Sequence, residues 1–263
     1  MKPYTDKVIA EKEDHIGWLT FNNPERRNAI SLEMWQAIPE CISEFEADTQ
    51  IRIIVLKGAG DKAFVAGADI SEFEKQRSSK EKVEFYEQQT EAASKSLAEA
   101  SKPTIAMIRG FCVGGGVGIA LNCDMRIATE NSQFAVPAAK LGLGYRYGGL
   151  KTLVDLVGPS FAKEIFYTAR LFSASEALAM GLVNRVTANE HLEEYVRDYC
   201  KTISRNAPLT VKSVKKIVRE IVSDQGPDLE LCTHAVKECF DSEDYIEGRN
   251  AFMEKRFPVF QGR

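Results

Sequence analysis

Apolar residues alternate or cluster at strand-like and helix-like spacing along the first half of the chain. Buried strands are predicted in four short segments: 16–21, 51–56, 104–108 and 125–128. Apolar residues at helical spacing over 34–45 and a charged, alanine-rich segment over 78–101 predict two helices between these strands. Because proline lacks an N–H donor, Pro39 inside the first helical pattern predicts a kink or a restart there.

The second half of the chain, after Pro137, is dominated by helical patterns. A capping box begins at Ser173, and an amphipathic run covers residues 208–221. Strands followed by helices predict an α/β protein. We expect a core formed by residues 1–200 and a helical C-terminal region formed by residues 201–263.

Two glycine-rich stretches carry the most specific chemical signal, at residues 65–70 and 113–118. The second follows the predicted strand 104–108 and precedes a helical segment over 117–122, so main-chain N–H groups lie at a helix N-terminus. Glycine lets a ligand approach the main chain, and the helix dipole favours an anion there. The pattern indicates a site that stabilises an oxyanion, with a simple tight turn as the alternative. It matches neither a dinucleotide-binding fingerprint nor a P-loop.

Composition and charge restrict the class of protein further. With 263 residues, of which 44% are hydrophobic, the chain can bury a sizeable core. Its formal net charge of −4 argues against nucleic acid as a partner, and the basic cluster 212–216 is typical of a solvated helix face. The chain has no leader-like start and no apolar run of about 18 residues, so we expect a cytoplasmic protein without a membrane partner. The six cysteines form no CxxC pair, and we expect reduced thiols and no metal.

Ordered motifs along the chain match the pattern of one known family. They are Asn22–Pro24 with Arg27–Ala29, Ala66–Ile70, Lys102–Pro103, Gly110, Gly114–Gly116, Asn122–Asp124, Phe134 with Pro137, Leu141–Gly142, Ala177, Gly181–Val183 and Ala251–Arg256. With these motifs the chain resembles the crotonase superfamily, also called the enoyl-CoA hydratase/isomerase family, from about Val8 to Phe260. The resemblance implies a spiral of ββα units and a C-terminal helical region that mediates trimer formation. It therefore also implies a homotrimer or a dimer of trimers.

The same resemblance implies the ligand and its site. An acyl-CoA thioester binds to residues 1–200, and its coenzyme A is part of the substrate rather than a separate cofactor. The N–H groups of Ala68 and Gly115 bind the thioester oxygen, while Arg27 and Lys255 approach coenzyme A. Further substrate-binding positions follow from the family pattern: Ala29, Ala66, Asp69, Ile70, Val113, Gly114, Pro137, Ala138 and Leu141.

Two positions depart from the pattern of the family's hydratases. Those enzymes carry one glutamate two residues after the glycine triplet and another directly after the proline that corresponds to Pro137. This chain has Gly118 and Ala138 at these two positions. Adding water to a double bond needs a base and an acid, each typically contributing 10²- to 10⁴-fold, so losing both removes roughly 5–11 kcal/mol of transition-state stabilisation. Asp69 is expected to cap the helix that begins near Ser71 rather than to transfer protons. The ordinary hydratase mechanism is therefore disfavoured.

The loop 141–149 and the tail 241–252 resemble the methylmalonyl-CoA decarboxylase branch, in which a tyrosine occupies the position of Tyr145. Losing CO₂ from a malonyl-type thioester leaves an enolate directly, so the site must hold the carboxylate and stabilise the oxyanion without a strong base. We expect Tyr145 to act in catalysis and Arg146 to pair with the carboxylate. The branch differs at Ala68, where it carries histidine.

These observations predict an acyl-CoA enzyme that works through a thioester enolate, and decarboxylation of a malonyl-type acyl-CoA is the first hypothesis. A hydratase or isomerase that uses another carboxylate, such as Glu72 or Glu164, is the second. A protein that binds acyl-CoA without turnover is the third. The missing glutamates favour the first and third hypotheses, and the main-chain donors favour enolate chemistry over binding alone.

Overall fold

A six-stranded sheet forms the centre of the protein in the computed structural model, which describes residues 5–69, 72 and 79–263. In spatial order its strands are β1 (Val8–Glu13), β2 (Ile16–Phe21), β3 (Ile53–Gly58), β5 (Thr104–Ile108), β7 (Met125–Thr129) and β10 (Arg185–Thr187). β1 and β2 pair antiparallel, and the other neighbours pair parallel. β2 and β5 are buried along their whole length, as expected for strands covered on both faces. The four predicted strand segments are confirmed.

A second, four-stranded sheet positions both glycine-rich stretches. Its strands, in spatial order, are β4 (Ala63–Val65), β6 (Phe111–Val113), β8 (Gln133–Ala135) and β9 (Phe172–Ser173). β4, β6 and β8 pair parallel, and β9 pairs antiparallel to β8. The two stretches directly follow β4 and β6. Because neighbouring parallel strands end at the same edge of a sheet, the stretches emerge side by side.

Helices cover the sheets and form most of the second half of the chain. Their bounds are α1 (Leu32–Ala47), α2 (Lys80–Glu99), α3 (Gly115–Leu121), α4 (Tyr147–Thr168), α5 (Ala174–Ala179), α6 (Leu192–Ser204), α7 (Pro208–Ile221), α8 (Leu229–Phe240) and α9 (Glu243–Glu254). Short 3-10 helices cover Pro24–Arg26, Pro137–Leu141 and Asn189–His191. The predicted capping box at Ser173 is confirmed, since its hydroxyl accepts from the main chain of Glu176 and the Glu176 carboxylate accepts in return. α4 is interrupted at Gly158, where φ is 76°.

The first helix is longer than its sequence pattern predicts. α1 continues through Pro39 as one helix, so of the two predicted outcomes the restart is wrong and the kink stays a prediction. The reason is its apolar stripe, in which Ile38 and Ile42 are buried against the core. Burying each large apolar side chain contributes about 1.5–3 kcal/mol, and several of them together outweigh the cost of about 3 kcal/mol for one internal proline.

The hydrophobic core lies on both faces of the six-stranded sheet. The larger cluster includes Phe21 and Phe45 and lies between this sheet, α1, α2 and the four-stranded sheet. The smaller cluster lies on the opposite face, where Leu192 and Val196 of α6 cover Ile105 and its neighbours. The helices therefore hold the strands from two sides and fix the edge at which the glycine-rich stretches emerge.

The C-terminal tail folds back onto the chain. The Asp244 carboxylate, which is buried, accepts the main-chain N–H groups of Gln261 and Gly262 at 2.7 and 2.8 Å. Arg52 donates to the carbonyl of Phe260 at 2.9 Å and so connects the tail to the core. The division of the chain at residue 200 stays a prediction. Across the described ranges, no helix has the length and apolar character that crossing a membrane requires.

Candidate active site

The two glycine-rich stretches lie against each other in the folded chain. Gly67 has φ of +112° and Gly114 has φ of +54°, values that favour glycine. A Cβ atom built on Gly114 would lie 3.8 Å from the Cα atom of Gly67, and one built on Gly67 would lie 3.7 Å from the carbonyl oxygen of Val113. Both stretches therefore turn sharply at the same place, as their positions after neighbouring parallel strands predict.

Main-chain pairing with Ile30 fixes the orientation of Ala68. The Ile30 N–H donates to the carbonyl of Gly67 at 2.8 Å, and the Asp69 N–H donates to the carbonyl of Ile30 at 2.9 Å. Ile30 and Ala68 thus form a parallel bridge. In such a bridge the Ala68 peptide N–H points away from Ile30. Within the described ranges no acceptor is assigned to this N–H group.

Gly115 is the first residue of α3, so its N–H group has no partner within the helix. The predicted helical segment 117–122 begins two residues earlier than expected, because the last two glycines of the triplet form its first turn. Gly116 seats this turn on β4, since a Cβ atom there would lie 2.2 Å from the carbonyl oxygen of Val65. Among the residues that the structure describes, the Gly115 N–H has no assigned acceptor.

The two positions that hold glutamates in the family's hydratases are not acidic and differ in their surroundings. Within the described part of the chain, a Cβ atom on Gly118 would lie more than 4 Å from every atom outside its own stretch of helix. The carbonyl of Gly118 accepts from the Asn122 amide at 2.8 Å. Ala138 is only 5% exposed and lies in the 3-10 helix that begins at Pro137. Neither position supplies a group that transfers protons.

The predicted binding residues of the first stretch are tied to the segment before α1. The Ala66 N–H donates to the carbonyl of Arg27 at 3.1 Å, and the Arg27 guanidinium lies over the Phe111 ring at 5.2 Å. The carbonyl of Ala29 accepts from the side chain of Asn23 at 3.1 Å. These bonds place the segment around Arg27 beside the two turns.

Asp69 is buried, and its carboxylate forms an ion pair with Arg26 at 2.8 Å. This contact gives the side chain a role that the sequence pattern did not predict. Ser71, near which the helix that Asp69 is predicted to cap begins, and the predicted binding residue Ile70 lie outside the described residues.

The loop between β8 and α4 carries Tyr145, Arg146 and Leu141. The Tyr145 ring packs edge-on against Phe166 at 4.7 Å, is 41% exposed, and has no hydrogen-bond partner assigned within the described part of the chain. Desolvation by the surrounding protein raises the pKa of Tyr145, so its hydroxyl stays protonated at neutral pH. Arg146 forms an ion pair with Glu87 of α2, and Leu141 is exposed. Arg146 is thus held by a protein carboxylate.

Lys255 is the predicted coenzyme A contact in the C-terminal region. It follows α9 in the left-handed conformation, with φ of 53°, and no side-chain hydrogen bond or ion pair is assigned to it within residues 79–263. Its predicted contact with coenzyme A stays a prediction. Metal binding is not indicated either: across the described residues no three His, Cys, Asp or Glu side chains are grouped as a metal site requires.

The two carboxylates considered as substitutes for the missing glutamates lie in different surroundings. The Glu72 carboxylate accepts the N–H of Leu32 at 3.1 Å, at the start of α1 and close in sequence to Ile30. Glu164 lies in α4, where it forms an ion pair with Arg170 at 3.1 Å. Of the two, Glu72 is therefore the carboxylate next to the segment that pairs with Ala68.

Sequence patterns missed a second group of residues at the site. Trp35 and Ile30 contact Gly115, and Tyr86 bonds to the Trp35 indole. Glu87 was also missed, although it pairs with Arg146. Helical spacing assigns Trp35 to the core, which is correct, but spacing alone does not reveal which turn it touches. The signal available in the sequence was the polar indole nitrogen of Trp35 on an otherwise apolar helix face.

Comparisons with known proteins cover nearly the whole chain. Residues 11–263 match the family described as Enoyl-CoA hydratase/isomerase. Over 252 residues the chain is 37% identical to the Short-chain-enoyl-CoA hydratase of Clostridium acetobutylicum, covering 95% of this chain and 96% of that protein. It is 34% identical over 252 residues to the Crotonyl-CoA hydratase of Syntrophomonas wolfei, with the same shares covered. The crystal structure of an enoyl-CoA hydratase/carnithine racemase from Magnetospirillum magneticum matches with a TM-score of 0.94 at 35% identity, covering 98% of this chain and 97% of that chain.

The fold and the paired turns define an enzyme of the crotonase type, and the predicted crotonase-like α/β fold is confirmed. The chain belongs to the enoyl-CoA hydratase/isomerase family, which is the crotonase superfamily. The more specific resemblance of its loop and tail to the decarboxylase branch gains no support from these relatives, which are named as hydratases.

Proposed function

We propose that this chain binds an acyl-CoA thioester and stabilises its enolate, and that it hydrates or isomerises an enoyl-CoA substrate. One observation carries this proposal: the N–H groups of Ala68 and Gly115 lie on adjoining turns and have no acceptor among the described residues. Two such donors aimed at one thioester oxygen stabilise the charge that develops there in the transition state. Removing one donor of this kind typically costs about 2.7–4 kcal/mol.

The substrate class follows from the relatives. Two proteins that match over almost the whole chain are named as a short-chain-enoyl-CoA hydratase and a crotonyl-CoA hydratase. We therefore propose a short enoyl thioester as substrate. Coenzyme A arrives with the substrate, and the proposed chemistry needs no other cofactor.

Proton transfer in this proposal falls to groups other than residues 118 and 138. Glu72 is the proposed base, since it lies at the start of α1 beside the segment that pairs with Ala68. Tyr145 is the proposed proton donor, because its hydroxyl stays protonated and no described side chain bonds to it. The ion pair with Arg170 gives Glu164 a structural role instead.

Decarboxylation of a malonyl-type acyl-CoA is a second candidate, and one specific observation favours it. Gly118 and Ala138 leave the site without the acid and the base that hydration needs, whereas decarboxylation makes the enolate without a strong base. Against this candidate, Arg146 is already paired with Glu87, so a substrate carboxylate would have to displace a protein carboxylate.

A substrate panel separates these candidates. Purified protein is given crotonyl-CoA, and loss of the conjugated enoyl absorbance is followed; malonyl-CoA and methylmalonyl-CoA are tested for CO₂ release. The proposal expects turnover of crotonyl-CoA. CO₂ release without hydration would establish decarboxylation instead, and binding of all three without turnover would show that the chain is an acyl-CoA-binding protein.

Two variants test the proposed proton carriers. Glu72→Gln and Tyr145→Phe should each lower kcat for crotonyl-CoA by about 10²-fold, with a smaller change in KM. Glu164→Gln is the matched control, since its carboxylate is paired on α4, and it should keep wild-type kcat. If Glu72→Gln keeps full activity, another group transfers the proton and that assignment is wrong.

The assembly proposed from the family resemblance is a homotrimer or a dimer of trimers, built through residues 201–263. Phe252 and Phe257, each more than four-fifths exposed in the isolated chain, are apolar groups that a neighbouring subunit would cover. Sedimentation equilibrium tests this: a monomer at micromolar concentration would contradict it.

A further inference from the structure

The indole of Trp35 lies beside Gly115, the residue with the second proposed main-chain donor. A Cβ atom on Gly115 would lie 3.4 Å from Cζ2 of Trp35 and 3.4 Å from Cγ2 of Ile30. Trp35 is only 3% exposed. Two side chains therefore border Gly115 at the distance that a Cβ atom would need, and they limit how far the first turn of α3 can move towards them.

A hydrogen bond fixes the position of that indole. Nε1 of Trp35 donates to the hydroxyl oxygen of Tyr86 at 3.0 Å. Trp35 lies on α1 and Tyr86 lies on α2, so the bond crosses the interface between two helices. A hydrogen bond from the indole N–H to one defined oxygen favours a single orientation of the ring.

Ile30 also connects Gly115 to Ala68, the residue with the other proposed donor. Its main chain bonds to Gly67 on one side of Ala68 and to Asp69 on the other. Its side chain lies against Gly115. A shift of Trp35 or Ile30 thus changes the position of the Gly115 N–H relative to the Ala68 N–H. The distance between two donors is what determines whether both reach one oxygen.

We infer that Trp35 and Tyr86 are positioning residues for the oxyanion site: the Tyr86 hydroxyl orients the indole, and the indole holds Gly115 so that its N–H faces the thioester oxygen. The inference rests on the proposed function, because it assumes that this oxygen binds there. The bond between the two side chains acts mainly on the enolate, since an oxyanion depends more on donor geometry than a neutral carbonyl does.

Tyr86→Phe tests the inference, because it removes one hydroxyl and keeps the ring. Steady-state kinetics with crotonyl-CoA should show kcat about fivefold lower and KM changed by less than about twofold. A second readout uses acetoacetyl-CoA, a β-keto thioester whose enolate absorbs in the near ultraviolet. At saturating protein the enolate band should be weaker for Tyr86→Phe than for the wild type.

Ser101→Ala is the matched control. Its hydroxyl donates to Glu46 of α1, so it also connects α1 to the end of α2, but at the far end from Gly115. This variant should keep wild-type kcat and a wild-type enolate band. Trp35→Phe removes the indole donor, and adding Tyr86→Phe to it should lower kcat by less than about twofold further, because the bond is already lost.

The outcomes are distinct. If Tyr86→Phe loses no more kcat and no more enolate band than Ser101→Ala, or if its effect adds fully to that of Trp35→Phe, the positioning role is wrong. If the wild type forms the enolate band but does not turn over crotonyl-CoA, the proposed reaction fails while the band still decides this inference. If the wild type turns over crotonyl-CoA but forms no band, the kcat comparison decides this inference, and if it does neither, both are overturned.

Discussion

Replacing Gly118 with glutamate should raise hydratase activity above the level that the native side chains provide. Position 118 lies in α3, and a Cβ atom there meets no atom of the described residues within 4 Å outside its own stretch of helix, so a longer side chain does not displace the described core. Glycine is also a poor helix former. The substitution therefore should not destabilise α3 and removes a penalty of roughly 0.5–1 kcal/mol.

The expected gain follows from general acid–base catalysis. A correctly placed proton-transfer group typically contributes 10²- to 10⁴-fold, which equals about 3–5 kcal/mol of transition-state stabilisation. A newly introduced carboxylate lacks refined positioning, so we expect the lower end: kcat/KM for crotonyl-CoA should rise about 10²-fold in Gly118→Glu. Ala138 is buried, and a second carboxylate there should cost stability and add less.

The assay compares Gly118→Glu with Gly118→Gln, which has nearly the same size but transfers no proton. Loss of the enoyl absorbance of crotonyl-CoA is followed for both variants and for the wild type. The glutamine variant should resemble the wild type. Equal rates for the two variants, with both folded and both binding coenzyme A, would refute the expectation that a carboxylate at position 118 transfers a proton in the reaction.

Three further expectations concern packing, pH and thiol chemistry. Gly116→Ala places a Cβ atom 2.2 Å from a β4 carbonyl oxygen, so it should lower stability by about 1–3 kcal/mol, measured as a lower melting temperature, and a wild-type value would contradict the close seating of α3. The Arg256 guanidinium, with a smaller main-chain contribution, lowers the pKa of Glu247 from 4.5 to about 2. Because a lowered pKa stabilises the folded state above the unfolded value, the tail amides should keep hydrogen-exchange protection above pH 4.5 and lose it as pH falls towards about 2. Alkylation of the native protein should modify Cys232 and Cys239 first, since the other four cysteines are buried; mass spectrometry showing early modification of a buried thiol would contradict this.

Much of the fold follows from local pattern. The strand segments at 16–21 and 104–108 are apolar because both faces of the central sheet are covered, and that requirement is visible in the sequence. The restart at Pro39 was wrong because a local rule about a missing donor was outweighed by burial along α1. Propensity describes one residue, whereas burial depends on what the whole helix contacts.

Some residues of the candidate site were predictable from local sequence, and others were not. The glycines at 67 and 114 were predictable because main-chain turns of this kind restrict the residue type, and their positive φ values explain the restriction. The contacts of Trp35 with Gly115 and of Glu87 with Arg146 were not, because each joins segments far apart in sequence. The pairing of Arg146 with a protein carboxylate is therefore visible only in the folded chain.

Mutation affects the main-chain N–H groups of the two turns differently from the side chains around them. Replacing one amino acid by another changes the side chain and keeps the peptide group. The proposed main-chain donors at positions 68 and 115 therefore remain when neighbouring side chains change. Acidic residues at positions 118 and 138 can then be gained or lost while the proposed donors to the thioester oxygen remain. Descendants of one ancestor can in this way acquire new reactions without first rebuilding the means of holding their substrate.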